Sequence, residues 1–301
     1  MELTLDIDAE KIWATVYAPN EGANNGCAIV YYHGGGFLYG QRRDLPEPYL
    51  EMIARAGYTL VALDYPLAPE RTLEQSLELS LAGLARLVTD ELDKLGCDRY
   101  ALFGRSAGAF LALKLARLMQ ARHPELAQPQ AIWSFYGYWD LTQPFVSEPS
   151  AHYAKMPDVG DETVRGLVGA PGELVLEGPK ATRFSLYVYA RQQGAWGRML
   201  GVTADNAAEL GLREEELSCL PPTFIAASTG DQDVPLRQSK TLMRAVRVKR
   251  MRQVYYLEHD FDRDITDPTG AQAYEEALTF LREVLGASGA GNSPGEGPRA
   301  R

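Results

Sequence analysis

Ser106, His259 and two carboxylates, Asp231 and Asp233, are the side chains whose types could together break an acyl bond. Ser106 sits in GRSAG, residues 104–108, between YALF, which reads as a strand, and AFLALKLARL, which reads as a helix. A GxSxG match alone arises by chance in roughly one chain in ten of this length, so the strand-to-helix setting carries the weight. On such a turn a serine adopts a strained backbone that lifts its hydroxyl above a sheet, and Gly104, Ala107 and Gly108 are small enough to let strand and helix close up. The helix that begins at Ala107 also offers unpaired N–H donors at its positive end.

A serine hydroxyl near neutral pH needs a base to take its proton, and the chain has four histidines. His33 belongs to a glycine loop, where a ring packed under the turn is expected. His123 ends a helix before Pro124, and His152 lies in an irregular stretch; capping or solvated roles suit both. His259 directly follows VYYLE and precedes the last helix, which places its ring at the carboxyl edge of a sheet, the edge that also carries Ser106. A carboxylate must orient that ring. GDQDVP, after the expected strand TFIAAST, offers Asp231, where a turn-forming role is natural, and Asp233, deeper in the loop.

HGGGF, residues 33–37, follows the apolar run CAIVYY. Three glycines in a row cost backbone entropy, so the chain must need a sharp loop or backbone N–H groups brought close to a ligand. Acyl transfer through a serine passes a tetrahedral oxyanion, and each preorganised N–H donor is worth about 3 kcal/mol to it. Gly35, Gly36 and Ala107 are the expected oxyanion-hole donors.

The elements that must position these groups alternate in type. LTLDI and KIWATVY read as an antiparallel hairpin, followed by the strands CAIVYY, YTLVALDY, RYALFGRS, AIWSFYGY, PPTFIAAST and RQVYYLEH. Between and after them lie helical segments: EPYLEMIARAG, a long one capped by Thr72 with Leu73, Leu77, Leu81, Leu84, Val88 and Leu92 on one stripe, AGAFLALKLARLMQARH, SKTLMRAVRV and AQAYEEALTFLREVL. The alternation predicts an α/β fold with a mainly parallel sheet covered on both faces. Residues 1–140 and 219–286 form the expected core. Residues 141–218, rich in proline and aromatics, interrupt the rhythm and are expected to form a cap or lid. Residues 287–301, ASGAGNSPGEGPRAR, are expected to be a disordered tail. Asp140, at the end of YGYWD, suits a turn or cap role.

Composition narrows the partners. The 301 residues carry 30 Lys+Arg against 40 Asp+Glu, a formal charge of −10, which disfavours nucleic acid and anionic membranes. The start of the chain is acidic and no run of 18 apolar residues occurs, so a soluble cytoplasmic protein is expected. Cys27, Cys97 and Cys219 read as partly buried free thiols, and no cluster of His, Asp or Glu has metal-ligand spacing, so no metal site is expected.

HGGGF, DYPLAPE (64–70), GRSAG, DVPLR (233–237) and the HDF at His259, in that order, resemble the α/β-hydrolases of the hormone-sensitive-lipase-like esterase group over about residues 28–285. The resemblance implies an α/β-hydrolase fold and a carboxylesterase-like serine hydrolase. It implies no cofactor, and a small-molecule ester of small to medium acyl groups cleaved through an acyl-enzyme. DVPLR is similar to the group's DPLR, whose first Asp is the triad acid, so the implied catalytic residues are Ser106, Asp233 and His259. DYPLAPE is expected to support the glycine turn. Arg105, Pro66 and Asp260 stand where the group commonly has Asp, Arg and Gly. With 32 residues ahead of His33, the cap is expected to come mostly from the insertion. Phe37, Leu38, Tyr39, Phe184, Tyr187 and Trp196 can wall an acyl pocket, with core packing the plainer role for most. An amidase, formamidase or small peptidase would use the same constellation, and a ligand receptor that had lost the reaction would be expected to lack a triad member.

Overall fold

The structure, a computed structural model, describes residues 1–290. Eight strands form one sheet: β1 (Glu2–Ile7), β2 (Glu10–Tyr17), β3 (Cys27–Tyr32), β4 (Thr59–Leu63), β5 (Arg99–Arg105), β6 (Ile132–Phe135), β7 (Thr223–Ser228) and β8 (Lys249–Val254). Their spatial order is β1-β2-β4-β3-β5-β6-β7-β8. β1 and β2 pair antiparallel, as the hairpin pattern predicts, and β2 joins β4 antiparallel; from β4 to β8 every pairing is parallel. Eleven α-helices are described: α1 (Glu47–Arg55), α2 (Leu73–Asp90), α3 (Ala107–Arg122), α4 (Pro144–Ser147), α5 (Asp161–Leu167), α6 (Lys180–Gln192), α7 (Trp196–Met199), α8 (Ala207–Leu210), α9 (Glu214–Leu217), α10 (Leu236–Ala245) and α11 (Pro268–Ala290).

Central strands are buried on both faces, which is why their sequences are continuously apolar instead of alternating. Side chains of a strand point alternately to the two faces. Ala28, Val30 and Tyr32 of β3 pack with Leu77, Leu81 and Leu84 of α2 and Phe110 of α3. Cys27, Ile29 and Tyr31 face the other way, into Tyr49 and Ile53 of α1 and Tyr274, Ala277 and Leu281 of α11. Thr72 caps α2 as expected: its hydroxyl accepts from Gln75 N–H while the Gln75 side chain accepts from Thr72 N–H.

Several boundaries differ from the expected ones, and three of the differences have a local reason. β8 occupies Lys249–Val254, not RQVYYLEH, so four residues separate its end from His259. It is an edge strand, and charged side chains such as Arg250 and Arg252 suit an edge. Tyr255 and Tyr256, which read as strand residues, are instead exposed in the following loop. α10 begins three residues earlier than SKTLMRAVRV, at Leu236 directly after Pro235, which sets the dihedral of a helix entry. α11 continues through Ala290, so residues 287–290 are helical where a disordered tail was expected; Ala287 and Ala290 favour helix and no proline intervenes before Pro294. The remainder of that expectation, residues 291–301, lies outside the described residues. Cys27, Cys97 and Cys219 are free, the first two buried and Cys219 exposed.

The insertion between β6 and β7 contains α4 to α9 and is tied to the core by side chains reaching across long stretches of sequence. Arg183 of α6 makes a two-pronged pair with Glu70, at 2.9 Å for each prong, and donates to the carbonyls of Ala68 and Leu38. Trp196 of α7 donates its indole N–H to Gly36 O at 2.9 Å. DYPLAPE thus buttresses the glycine loop: Tyr65 donates to His33 O, and Asp64 is buried against Arg42. Among the described residues no helix is long and apolar enough to cross a membrane.

One close backbone approach in this frame lies where α3 passes β3. A Cβ on Gly108 would stand 2.1 Å from Tyr32 O. Gly108→Ala is therefore expected to lower unfolding free energy by about 1–3 kcal/mol, the usual cost of overpacking, in a urea titration; an unchanged midpoint would contradict the close approach.

Candidate active site

Ser106 occupies the single residue between the end of β5 and the start of α3. Its backbone has φ 53° and ψ −116°, a conformation that L side chains rarely adopt. The neighbours hold it there: Ser106 N–H donates to Phe135 O at 2.9 Å, and Ser106 O accepts from Ala109 and Phe110 N–H at the head of α3. The strained turn anticipated from GRSAG is present.

His259 Nε2 stands 2.8 Å from Ser106 Oγ, and its Nδ1 stands 2.7 Å from Asp231 Oδ2. A carboxylate only accepts, so Nδ1 carries the hydrogen; in the neutral ring Nε2 is then free to accept from the serine hydroxyl. Burial alone would push the imidazole down, but the charge and hydrogen bond of Asp231, joined by the charges of Asp233 and Asp260, hold it up at about 9.

The carboxylate on the histidine is thus Asp231, and the expectation of Asp233 is corrected. Asp231 lies three residues past the end of β7, near the sheet edge that carries Ser106. It fills the turn role that sequence assigned to it, its Oδ1 accepting from the N–H groups of Asp233 and Val234 at 2.8 Å each, and still offers Oδ2 to His259. Asp233 is engaged elsewhere. It pairs with Arg191 at 2.9 Å and accepts from the hydroxyls of Tyr153 and Tyr187. Asp233 therefore joins the insertion to the core. Among the described residues no other histidine hydrogen-bonds Ser106 Oγ; His33 is fully buried and stacks on Tyr65 beneath the glycine loop, and burial pushes its imidazole down.

The glycine loop runs over the same edge. Gly35 and Gly36 have φ of 109° and 60°, and a Cβ on Gly36 would stand 2.2 Å from the Tyr187 ring. Only glycine fits there without displacing α6. Among the described residues, the N–H groups of Gly35, Gly36 and Ala107 donate no backbone hydrogen bond, and Gly34, Gly35 and Gly36 line a cavity with Ser106 and His259. Asp140 is a turn residue as expected, accepting from Thr142 N–H at 2.9 Å.

Arg105, next to Ser106 in the chain, is 3% exposed. Its guanidinium donates to Asp262 at 3.0 Å and to the Tyr136 hydroxyl at 2.6 Å, and Tyr136 donates in turn to Asp262 at 2.7 Å. Tyr274 donates to the other Asp262 oxygen, and Tyr49 to Asp262 O. The Tyr136 ring meets that of His259 edge to face, with centroids 4.8 Å apart. Asp262 is three residues past His259, so this buried cluster fixes the histidine loop against the serine turn. Sequence marked Arg105 as unusual, but nothing in the pattern linked it to Asp262, 157 residues away.

The cavity over Ser106 has a volume of about 190 Å³, and a second lobe of about 140 Å³ shares Tyr39, Lys180, Asp233, His259 and Asp260 with it. Of the aromatic candidates for its wall, Tyr39 and Tyr187 face the first lobe and Phe184 the second. Phe37, Leu38 and Trp196 are core residues.

A family model described as the α/β-hydrolase fold matches residues 29–164. An α/β-hydrolase superfamily protein from Enterococcus faecalis has a solved structure that superposes with a TM-score of 0.82, at 31% identity over 94% of this chain and 98% of that one. The chain belongs to the α/β-hydrolase superfamily. A non-reducing polyketide synthase from Penicillium rubens is 32% identical over 91% of this chain, which spans 13% of that enzyme's length. An acetyl esterase from Salmonella schwarzengrund is 33% identical over 118 residues, 38% of this chain and 36% of that protein.

Two outcomes follow from the buried charges. His259 rises from about 6.5 in an unfolded chain to about 9 in the fold, so its contribution to stability is complete below about pH 6.5 and is lost as pH climbs through about 9. Ring NMR of the native protein should titrate near that upper value, and Asp231→Asn should bring it down; an unshifted ring would contradict the pair. Arg105→Met should lower unfolding free energy by about 3–5 kcal/mol, because it leaves the Asp262 carboxylate buried without its cation, as chemical denaturation would read.

Proposed function

We propose that the protein is a serine hydrolase of the hormone-sensitive-lipase-like group that cleaves carboxylic esters through an acyl-enzyme. The observation that carries this is the unbroken hydrogen-bonded series from Asp231 through His259 to Ser106, beside a loop in which the N–H groups of Gly35 and Gly36 donate no backbone hydrogen bond. The preference for esters draws further support from the similarity to an acetyl esterase.

In the proposed reaction Ser106 Oγ attacks the ester carbonyl while His259 Nε2 takes its proton. Asp231 keeps the ring in the required tautomer and stabilises the imidazolium. The carbonyl electrons move onto oxygen, where N–H groups of Gly35, Gly36 and Ala107 receive the negative charge. Collapse breaks the bond to the alcohol, which leaves with the proton from His259. Water then attacks the acyl-enzyme, giving its proton to His259; a second oxyanion collapses, and Ser106 Oγ departs and regains that proton as the acid leaves. No cofactor enters these steps. The insertion, residues 141–218, serves as the cap: Tyr187 and Lys180 bring it over the serine, and the Arg183–Glu70 and Arg191–Asp233 pairs fix its seat.

Ser106→Ala should lower kcat/KM on p-nitrophenyl acetate by on the order of 10⁴-fold or more, and Asp231→Asn by on the order of 10⁴-fold. Asp233→Asn, measured on folded protein, should cost far less. Wild-type activity should rise with pH as His259 loses its proton, with the inflection displaced from 6.5 toward about 9. Full activity in Ser106→Ala would overturn the reading, and a larger loss in Asp233→Asn than in Asp231→Asn would reverse the carboxylate assignment.

A further inference from the structure

We infer that the site selects short esters carrying a carboxylate, with Lys180 as the residue that receives it; this rests on the proposed hydrolase reading and narrows its substrate class. The lobe that contains Ser106 is lined by Gly34, Gly35, Gly36, Gly40 and polar side chains, and not one aliphatic side chain or phenylalanine is among them. An alkyl chain, whose transfer from water needs apolar surface to receive it, finds there only the rings of Tyr39, Tyr136 and Tyr187, with Met156 and Phe184 added in the second lobe. The lobe over Ser106, about 190 Å³, also falls below the roughly 300–1,000 Å³ of pockets that hold drug-sized ligands, and the second lobe adds only about 140 Å³.

Charge pairing then singles out one side chain. Of the carboxylates along these walls, Asp44 accepts from the Tyr31 hydroxyl, Asp233 pairs with Arg191 and Asp260 pairs with Arg263, while Glu258 lines only the second lobe and lies beyond ion-pairing distance of Lys180. Arg105 is held by Asp262. Lys180 lines both lobes, yet among the described residues no carboxylate lies within ion-pairing distance of it; its ammonium stands 5.0 Å from the centroid of the Phe184 ring. Partial burial makes its charged form less favourable than in water, and an incoming anion would reverse that. The whole chain carries −10, so preference for an anion can come only from this local cation, not from a long-range field. A carboxylate on either the acyl or the alcohol side can approach Lys180 while the carbonyl lies at Ser106, because both residues line one cavity.

The test compares phenyl hemisuccinate with the uncharged phenyl butyrate and phenyl octanoate on the purified full-length protein. The hemisuccinate should show about tenfold higher kcat/KM than the butyrate, the size of effect expected of one partly exposed charge contact. That ratio should collapse in Lys180→Gln, through KM more than kcat, and be retained in Lys180→Arg. A ratio of one or less in the wild type, faster turnover of the octanoate, or a ratio unchanged in Lys180→Gln would each overturn the inference. Labelling by a fluorophosphonate separates the two levels. A protein that labels at Ser106 but ignores the carboxylate refutes only the substrate class, whereas one that neither labels nor hydrolyses any of the three esters refutes the hydrolase reading and this inference with it.

Discussion

Everything at the candidate site hangs on one unfavourable backbone conformation. Ser106 sits at φ 53° with a side chain that disfavours it, a strain of order 1–3 kcal/mol that persists only where the surroundings over-determine it. They do so here because β5 is a central strand, bonded to β3 and β6, and because α3 is buried along most of its length. Neither can shift to relax the turn without breaking sheet hydrogen bonds or opening the core. The absence of a Cβ at Gly108 lets α3 approach β3 closely enough to fix the angle at which Oγ emerges.

Around that rigid turn, loops from distant parts of the chain are held by buried polar pairs. Arg105 and Asp262 join the serine turn to the histidine loop, Arg183 and Glu70 join α6 to the loop below the glycines, and Arg191 and Asp233 join α6 to the loop after β7. A buried ion pair is a poor source of net stability, because desolvation offsets most of its attraction. Its value here is geometric. Each pair holds two segments distant in sequence within 3.0 Å of each other. Asp231 illustrates the economy of the scheme, with one carboxylate oxygen shaping its own loop and the other oriented on His259.

Much of this was legible from the residues. The strands β3, β4, β5 and β7 announce themselves because burial on both faces demands continuous apolar sequence, and the small residues about Ser106 state the need for close packing. Elimination among the histidines reached His259 because local context left the other three with packing or solvated roles. What escaped depended on contacts between distant segments. β8 carries Lys249, Arg250 and Arg252 on an exposed edge, so its limits could not be read from hydrophobicity, and the apolar pair Tyr255 and Tyr256 drew the boundary too far along. Asp231 and Asp233 are two residues apart with similar local chemistry. The choice between them was made by Arg191, Tyr153 and Tyr187, which arrive from the insertion and occupy Asp233. The polar lining over Ser106 was hidden for the same reason: Gln41 and Asp44 come from the loop before α1, Lys180 from the head of α6 and Arg263 from the loop before α11.

The central claim is that Ser106 is a nucleophile whose oxyanion is received by the glycine loop and the head of α3. A crystal structure of the protein after reaction with a phosphonate ester tests it most directly. The account predicts phosphorus bonded to Ser106 Oγ, with the phosphoryl oxygen within hydrogen-bond distance of N–H groups of Gly35, Gly36 and Ala107 and His259 Nε2 beside the remaining oxygen. An adduct on another residue, or a phosphoryl oxygen turned toward solvent and away from those three groups, would contradict it.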